Sequence, residues 1–396
     1  YNSVYKILSL ENAKTMVFGN FKKFNGTSAS RIAKLLEDGS SDPDFNSGQA
    51  GANNLIKSAV LQSDGKIILG GNFTKYNETV INRIVRILPN GAVDPTFNVI
   101  SGCNSQIYAM AIQPDEKIIV AGGFSKYNDA NVGRIVRLLP DGSRDSSFNP
   151  GLGADAIIEV VLVQPDGKIL VGGRFITFNE ISCPHLVRLN SNGSIDPTFA
   201  IGEGFDKNVY AMALQSDQKI VVGGNFLNFN RVGQKRLLRL NTNGSLDNTF
   251  ESGPGFSKGD VRSVLIQPDD RILVGGTFSG TYKNVTALRL IRLLKSGSLD
   301  ASFDATLNNK VFSMSFSSDY KLLVGGDFNS VAGISKHRIA RLKLCLESTI
   351  WNGTSWSNGF PSGGKELFFK EDYPDLITAN VCSCTIDEGK KVTLLS

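Results

Sequence analysis

Histidine is almost missing from this chain, with only His185 and His337 in 396 residues. That scarcity argues against imidazole chemistry, because a serine triad needs a base beside its nucleophile and a histidine metal centre needs several ligands. Neither histidine has a third ligand nearby in sequence, so any metal site would need loop carboxylates such as Glu180, and both are expected to be ordinary surface residues. Cysteine is also sparse, at Cys103, Cys183, Cys345, Cys382 and Cys384. No Cys-x-x-Cys pair occurs, which argues against zinc. No Asp-x-Asp-x-Asp-Gly loop occurs either, so the hairpin aspartates (Asp64, Asp115, Asp166, Asp217, Asp269 and Asp319) read as turn formers rather than calcium ligands. No run approaches the roughly 18 apolar residues of a membrane helix. The chain opens at Tyr1 without Met, basic leader or apolar signal region, and so reads as a mature or trimmed, soluble product with no direct membrane insertion.

The formal net charge of +5 hides an asymmetry, since residues 346–396 carry four Lys against seven Asp or Glu. The earlier part is moderately basic, yet its arginines recur as one pair per repeat: Arg83 with Arg86, Arg134 with Arg137, Arg236 with Arg239, Arg289 with Arg292, Arg338 with Arg341. Nucleic acid would call for a stripe on one face rather than an equal dose everywhere, so no nucleic-acid partner is expected.

What the chain has in abundance is repetition. Gly-x-Phe after an apolar run occurs seven times, with the aromatic at Phe21, Phe73, Phe124, Phe175, Phe226, Phe278 and Phe328, at spacings of 52, 51, 51, 51, 52 and 50 residues. In the fourth copy two apolar runs, Glu159 to Val163 and Ile169 to Val171, flank a Pro-Asp-Gly turn; a third strand follows at Leu186 to Asn190 and a fourth around Asp196 to Phe199. Short runs apolar on both faces are strands covered on both sides. Four antiparallel strands per unit, seven units and no helical period predict an all-β, seven-bladed β-propeller over residues 1–345. The paired glycines, Gly70-Gly71, Gly172-Gly173, Gly223-Gly224, Gly275-Gly276 and Gly325-Gly326, are expected where neighbouring sheets approach closely.

The last strand carries Asp-x-x-Phe in six copies, from Asp42 and Phe45 to Asp300 and Phe303, and the seventh copy lacks it. The repeated Asp and the second repeated Arg of each copy are expected to form structural ion pairs. The last blade must therefore be completed by residues upstream of Tyr1 or by the segment after Cys345. Residues 346–396 read as a linker and the start of a further β-domain, a short extension with strands at Val381 to Ile386 and Lys391 to Leu395 joined by the Asp387-Glu388-Gly389 turn. Cys345 is expected to pair with Cys382 or Cys384, which fits an oxidising compartment.

The consensus Gln-x-Asp-Gly-Lys-Ile-x-x-Gly-Gly-x-Phe, followed by Arg-Leu-x-x-x-Gly-Ser-x-Asp-x-x-Phe, resembles the delta-60 repeat family of bacterial extracytoplasmic proteins. The resemblance implies a propeller outside the cytoplasm and no shared activity or cofactor. The tail motif Trp351-Asn352-Gly353-Thr354-Ser355-Trp356-Ser357-Asn358-Gly359 is similar to junctions in secreted Bacteroidota proteins, many of them cargo of the type IX secretion system.

Gly255-Phe256-Ser257-Lys258-Gly259 matches the hydrolase pattern Gly-x-Ser-x-Gly, but no helical pattern follows, and the match reads as accidental. With inner strands that look apolar apart from a repeated Gln, the chain is expected to be a non-enzymatic binding or spacer module of a larger adhesin-like protein, secreted or on the outer surface, with no cofactor, catalytic residue or metal. Its partner would be a protein or glycan on the loop face, with secretion machinery as a further partner. The ligand-face candidates are Glu180, His185, Arg231, Lys235, Lys283 and Lys336, all in loops that vary between copies. The alternative is a propeller lyase or hydrolase with its site in the central funnel.

Overall fold

Strands form where the repeat predicts them, and the first strand of each unit ties the ring together. The computed structural model describes residues 3–47, 50–344, 347–357, 365–374, 376–377 and 383–394. The fourth blade consists of Ile158–Val163, Ile169–Gly173 and Leu186–Leu189, antiparallel, with Ile169–Gly173 in the middle. The other blades repeat this order, with first strands Val4–Ser9, Ile56–Leu61, Ile107–Ile112, Val209–Leu214, Val261–Ile266 and Val311–Phe316. Each first strand packs against the first strands on both sides. Val4–Ser9 packs against Val311–Phe316, so seven blades close into a ring.

The fourth strand expected in the first six blades is reduced to a single bridge, such as Leu189 with Ile195. The cause is local: the Asp196 carboxylate accepts the Thr198 amide at 3.0 Å and the Thr198 hydroxyl at 2.7 Å. A side chain that satisfies its own backbone in this way competes with the ladder. Between the second and third strands sits a two-residue side hairpin, Thr177–Phe178 with Ile181–Ser182 in the fourth blade. In the sixth blade the strands run straight through, as Ile272–Tyr282 and Val285–Leu293.

Middle strands are buried along their whole length because blades cover both faces. The seven repeated phenylalanines are buried; Phe175 packs with Ile119, Ala121 and Ile135 of the preceding blade, and Phe21 packs with Leu323 across the closure. The paired glycines do sit at close contacts, but in two different senses. A Cβ on Gly172 would lie 2.8 Å from Val209 Cγ1 in the next blade, whereas one on Gly173 would lie 2.3 Å from the Ile157 carbonyl oxygen of its own blade. The first glycine admits the neighbouring sheet, and the second lets its own strand fold over the bulge described below.

The repeated Asp and second repeated Arg form the structural pairs expected. Arg188 Nε donates to Asp196 at 2.8 Å, its Nη1 donates to the Thr242 carbonyl of the next blade at 2.6 Å, and its guanidinium lies 4.5 Å from the centroid of Phe199. Equivalent bonds start from Arg86, Arg137 and Arg239. The repeated Gln belongs to this girdle rather than to the axis, since Gln62, Gln113 and Gln215 accept from those arginines at 3.3, 3.5 and 2.8 Å.

The tail is a short β extension, as expected, and its strands pair in parallel, which the sequence reading did not foresee. Glu347–Trp351, Lys365–Phe369 and Ser383–Ile386 form a parallel sheet, and Leu376–Ile377 pairs in parallel with Thr393–Leu394. The two last strands stand where the sequence predicts them, as Ser383–Ile386 and Thr393–Leu394 joined by the turn at Asp387-Glu388-Gly389, and they lie in different sheets. Trp351, Leu367 and Phe369 form a small separate core with Trp356 and Tyr373 against it. Cys345 and Cys382 lie outside the described residues, and the side chain of Cys384 does too, so the proposed cysteine pairing falls there. Cys103 and Cys183 are buried free thiols.

Candidate functional site

One irregularity recurs in every blade and decides what faces the axis. The pairing of first with second strand slips by one residue between Val4 and Lys6, Ile56 and Ser58, Ile107 and Ala109, Ile158 and Val160, Val209 and Ala211, Val261 and Ser263, and Val311 and Ser313. A bulged residue leaves the ladder, and its side chain is re-aimed. The bulged residues are Tyr5, Lys57, Tyr108, Glu159, Tyr210, Arg262 and Phe312, every one partly accessible. Since the first strands form the inner wall, these side chains converge on the channel.

Their contacts show the convergence. Tyr5 stacks on Phe312 across the ring closure, with centroids 4.9 Å apart and planes at 25°. Lys57 Nζ stands 4.6 Å from the Tyr5 ring centroid, and the Arg262 guanidinium stands 3.9 Å from that of Tyr210. Arg174, which precedes the buried Phe175, donates to Glu159 Oε1 from Nε at 2.8 Å and from Nη2 at 2.5 Å. Arg262 donates to Asp260 at 2.6 Å, and Asn208 donates to the Tyr210 hydroxyl at 2.9 Å.

Electrostatically these groups form one unit. Burial lowers the pKa of Lys57 below the ordinary lysine value; Glu159 opposes this, and Arg262 and Arg174 reinforce it. Groups from two other blades, the fourth and the sixth, thus act on one ammonium of the second. Burial, seconded by Glu159, raises the Tyr108 phenol. Lys6, beside the bulge in the first blade, is also lowered by burial. Lys57, Arg174 and Arg262 stand with Glu159 and Asp260, and both of these acids are already engaged by arginines. The channel can take up negative charge and offers aromatic faces beside it.

The loop-face candidates are not brought together. Glu180, Arg231 and Lys283 occupy side-hairpin turns with left-handed φ of 63°, 62° and 49°. With His185, Lys235 and Lys336 they spread over four consecutive blades, and among the described residues no hydrogen bond or ion pair joins any two of them. Arg231 pairs with Glu203 at 2.5 Å, and Lys283 with Glu251 at 3.8 Å. His185 is not a surface residue. It replaces the first repeated Arg, is buried with Nδ1 3.2 Å from the Gly173 carbonyl oxygen, and has its pKa lowered by that burial. Ser257 Oγ accepts the Thr281 amide at 2.7 Å, a strand-capping bond of the kind Asp206 makes to Leu227 at 2.8 Å. Among the described residues no cluster of three or more His, Cys, Asp or Glu is placed to hold a metal, and no helix is long and apolar enough to cross a membrane.

Sequence reasoning missed the channel ring because it treated the inner strands as apolar. The available signal was one column, the second residue of each first strand, which reads Tyr, Lys, Tyr, Glu, Tyr, Arg, Phe while its neighbours repeat.

Comparison with known proteins bears on these points. Among curated proteins none matches the sequence. The streptogramin B lyase structure is similar with a TM-score of 0.50 and 15% identity, covering 86% of this chain and 93% of that one. Virginiamycin B lyase from Staphylococcus aureus gives 0.48 and 13%, covering 86% and 94%. PorZ, a surface component of the type IX secretion system of Porphyromonas gingivalis, gives 0.49 and 12%, covering 86% of this chain and 45% of that one. At such identity the likeness is one of fold. The expectation that this chain is not an enzyme does not stand: its fold is shared with a lyase structure, and the funnel read as apolar carries charged groups. The sequence pattern of a domain of unknown function, the DUF5122 beta-propeller, matches residues 14–45, 62–97, 113–148, 164–199, 215–250, 267–303 and 318–344, more than half of the chain, and the chain belongs to that family.

Proposed function

We propose that this propeller binds an acidic sugar of a glycan in its axial channel. The observation that carries this is Lys57: an ammonium held over the Tyr5 ring, inside the lumen, with no ion pair among the described residues. A pyranose ring presents apolar faces suited to Tyr5, Tyr210 and Phe312, while its carboxylate would meet Lys57 in a partly desolvated site where charge-assisted bonds are strong. Titration calorimetry with a glucuronate-containing oligosaccharide and its neutral glucose counterpart tests the reading. The acidic ligand should bind, and Lys57→Met should weaken it at least tenfold. Equal affinity for both sugars, or none for either, would end the proposal.

A second reading has the same channel turning its ligand over. A lysine with lowered pKa is a better base near neutral pH than an exposed one, and cations beside a carboxylate favour loss of the adjacent proton, as a lyase requires. Mass spectrometry of the sugar after long incubation separates binding from turnover.

Under this proposal the protein acts in secreted form or on the outer cell surface, as a module of a larger adhesin-like protein. The support is the tail's similarity to type IX cargo around Trp351 to Gly359. Detection only in the cytoplasm of its native cells would contradict it.

A further inference from the structure

The charged groups of the channel can be reached along one line only. Lys57, Glu159 and Arg262 stand on the second residue of their first strands, and each first strand packs against those on both sides, so the wall around them is continuous. That wall is pinned at their level. In every blade the amide after the glycine beside the bulge donates to the carbonyl two residues before the bulged one, as Asn72 to Leu55, Arg174 to Ile157 and Asp327 to Lys310, each at 2.8 Å. Where the ring closes, the Ile7 amide donates to Ser313 Oγ at 3.1 Å, and Ser3 Oγ donates to Asp327. A ligand that meets these groups therefore enters along the axis and not between blades.

The entrance and its depth follow from the strand order. Each bulge lies beside the glycine from which the chain runs on into the side hairpin, as Ile158 pairs with Gly173 ahead of Thr177–Phe178. The charged groups thus lie at the end of the channel that carries the side hairpins. Arg174 is the outer member of its pair, with its side chain 44% exposed, and Glu159 is the inner one, 7% exposed. A chain laid across this mouth would touch Arg174 and stop short of the acid. Burial acts on Lys57 too, and Glu159 is among the groups that act on it, which sets the ammonium at the inner level. Charge narrows the ligand further. Lys57, Arg174 and Arg262 are three cations beside two acids, and an arginine holds each acid, so the positive charge left over is that of Lys57.

A sugar within a polymer continues on both sides. Set beside Lys57, it would have to send one continuation out of each mouth or fold both back through one. A terminal sugar has a single continuation, which leaves along the axis toward the side hairpins. We infer that the channel takes the end of an acidic glycan, a terminal sugar bearing one carboxylate, and discriminates against the same sugar inside a chain; this rests on the acidic-sugar reading above. Specificity of this kind is a difference of two affinities, produced here by what the closed wall excludes.

The test is titration calorimetry of the full, unaltered chain with two trisaccharides of identical composition. One carries glucuronate at its non-reducing end, followed by two glucose residues, and the other carries it between them. The terminal form should bind at least tenfold more tightly. Equal affinity, or preference for the internal form, would overturn the inference while leaving the acidic-sugar reading in place. Binding of neither would overturn both. A third titration uses the terminal form with a bulky fluorophore on its reducing end, which should bind as well as the unlabelled sugar because that end points out of the mouth; loss of binding on labelling would count against axial entry and overturn the inference. The changes are made in the sugar, so none of these outcomes depends on how a chain variant folds.

Discussion

Arg341 Nη1 in the last blade donates to the carbonyl of Glu37 in the first, at 2.7 Å. This is the contact Arg188 makes to Thr242 between adjacent middle blades, at 2.6 Å. The ring is thus closed by the same bond that spaces its blades, although the seventh blade lacks the carboxylate that steadies the arginine elsewhere. Closure rests on this bond together with packing of Val4–Ser9 on Val311–Phe316.

Alanine substitution should separate the two glycine roles. Gly123→Ala should be nearly neutral because its Cβ would find its nearest neighbour at 3.6 Å. Gly172→Ala meets a valine side chain and should cost about 1–3 kcal/mol. Gly173→Ala meets a carbonyl that cannot swing aside, and should cost most. Urea midpoints of the three variants give the order, and Gly173→Ala as the mildest would contradict the account.

Acid should unlock the girdle in a defined window. Burial alone would raise the carboxyls of Asp94 and Asp145, but bonds from Thr96 and Arg86, and from Ser147 and Arg137, hold each at about 2. A folded pKa below the unfolded one gives stability that is present at neutral pH and lost as pH falls from about 4 to 2. Each aspartate contributes on the order of 2 kcal/mol. Thermal midpoints that stay flat down to pH 2 would refute this.

Binding of an anionic ligand in the channel should weaken with alkali earlier than an ordinary lysine would allow. Lys57 has its pKa lowered, so its positive charge is present below that value and disappears as pH rises through it. Affinity for the acidic oligosaccharide should fall as pH rises, before an ordinary lysine would lose its proton, and Lys57→Arg should move the fall to higher pH.

Both tryptophans, Trp351 and Trp356, lie in the tail. Tryptophan emission therefore reports the small parallel-sheet core while far-UV dichroism reports the ring. The emission midpoint in urea should come first, because a core of Trp351, Leu367 and Phe369 buries little surface. Phe175→Ala, which removes about 3–5 kcal/mol from the ring, should shift the dichroism midpoint and leave the emission midpoint in place.

The sequence by itself determined the blade count, the strand order and the buried Phe175 class, since every copy must carry the residues that build it. Seven independent repetitions make such residues legible. The Arg188 and Asp196 pairing was legible for the same reason. The reduction of the fourth strand to one bridge was not, because Asp196 could serve a ladder or a turn with equal ease until Thr198 stood beside it. The parallel tail was also hidden, as strand direction depends on partners about 18 residues away rather than on local alternation. The channel was the largest omission. Lys57, Glu159 and Arg262 are about a hundred residues apart in sequence, and each is an isolated polar residue in an apolar strand until the ring closes. A bulge repeated in seven strands and a closed ring are tertiary facts, and only together do they turn those residues into one site.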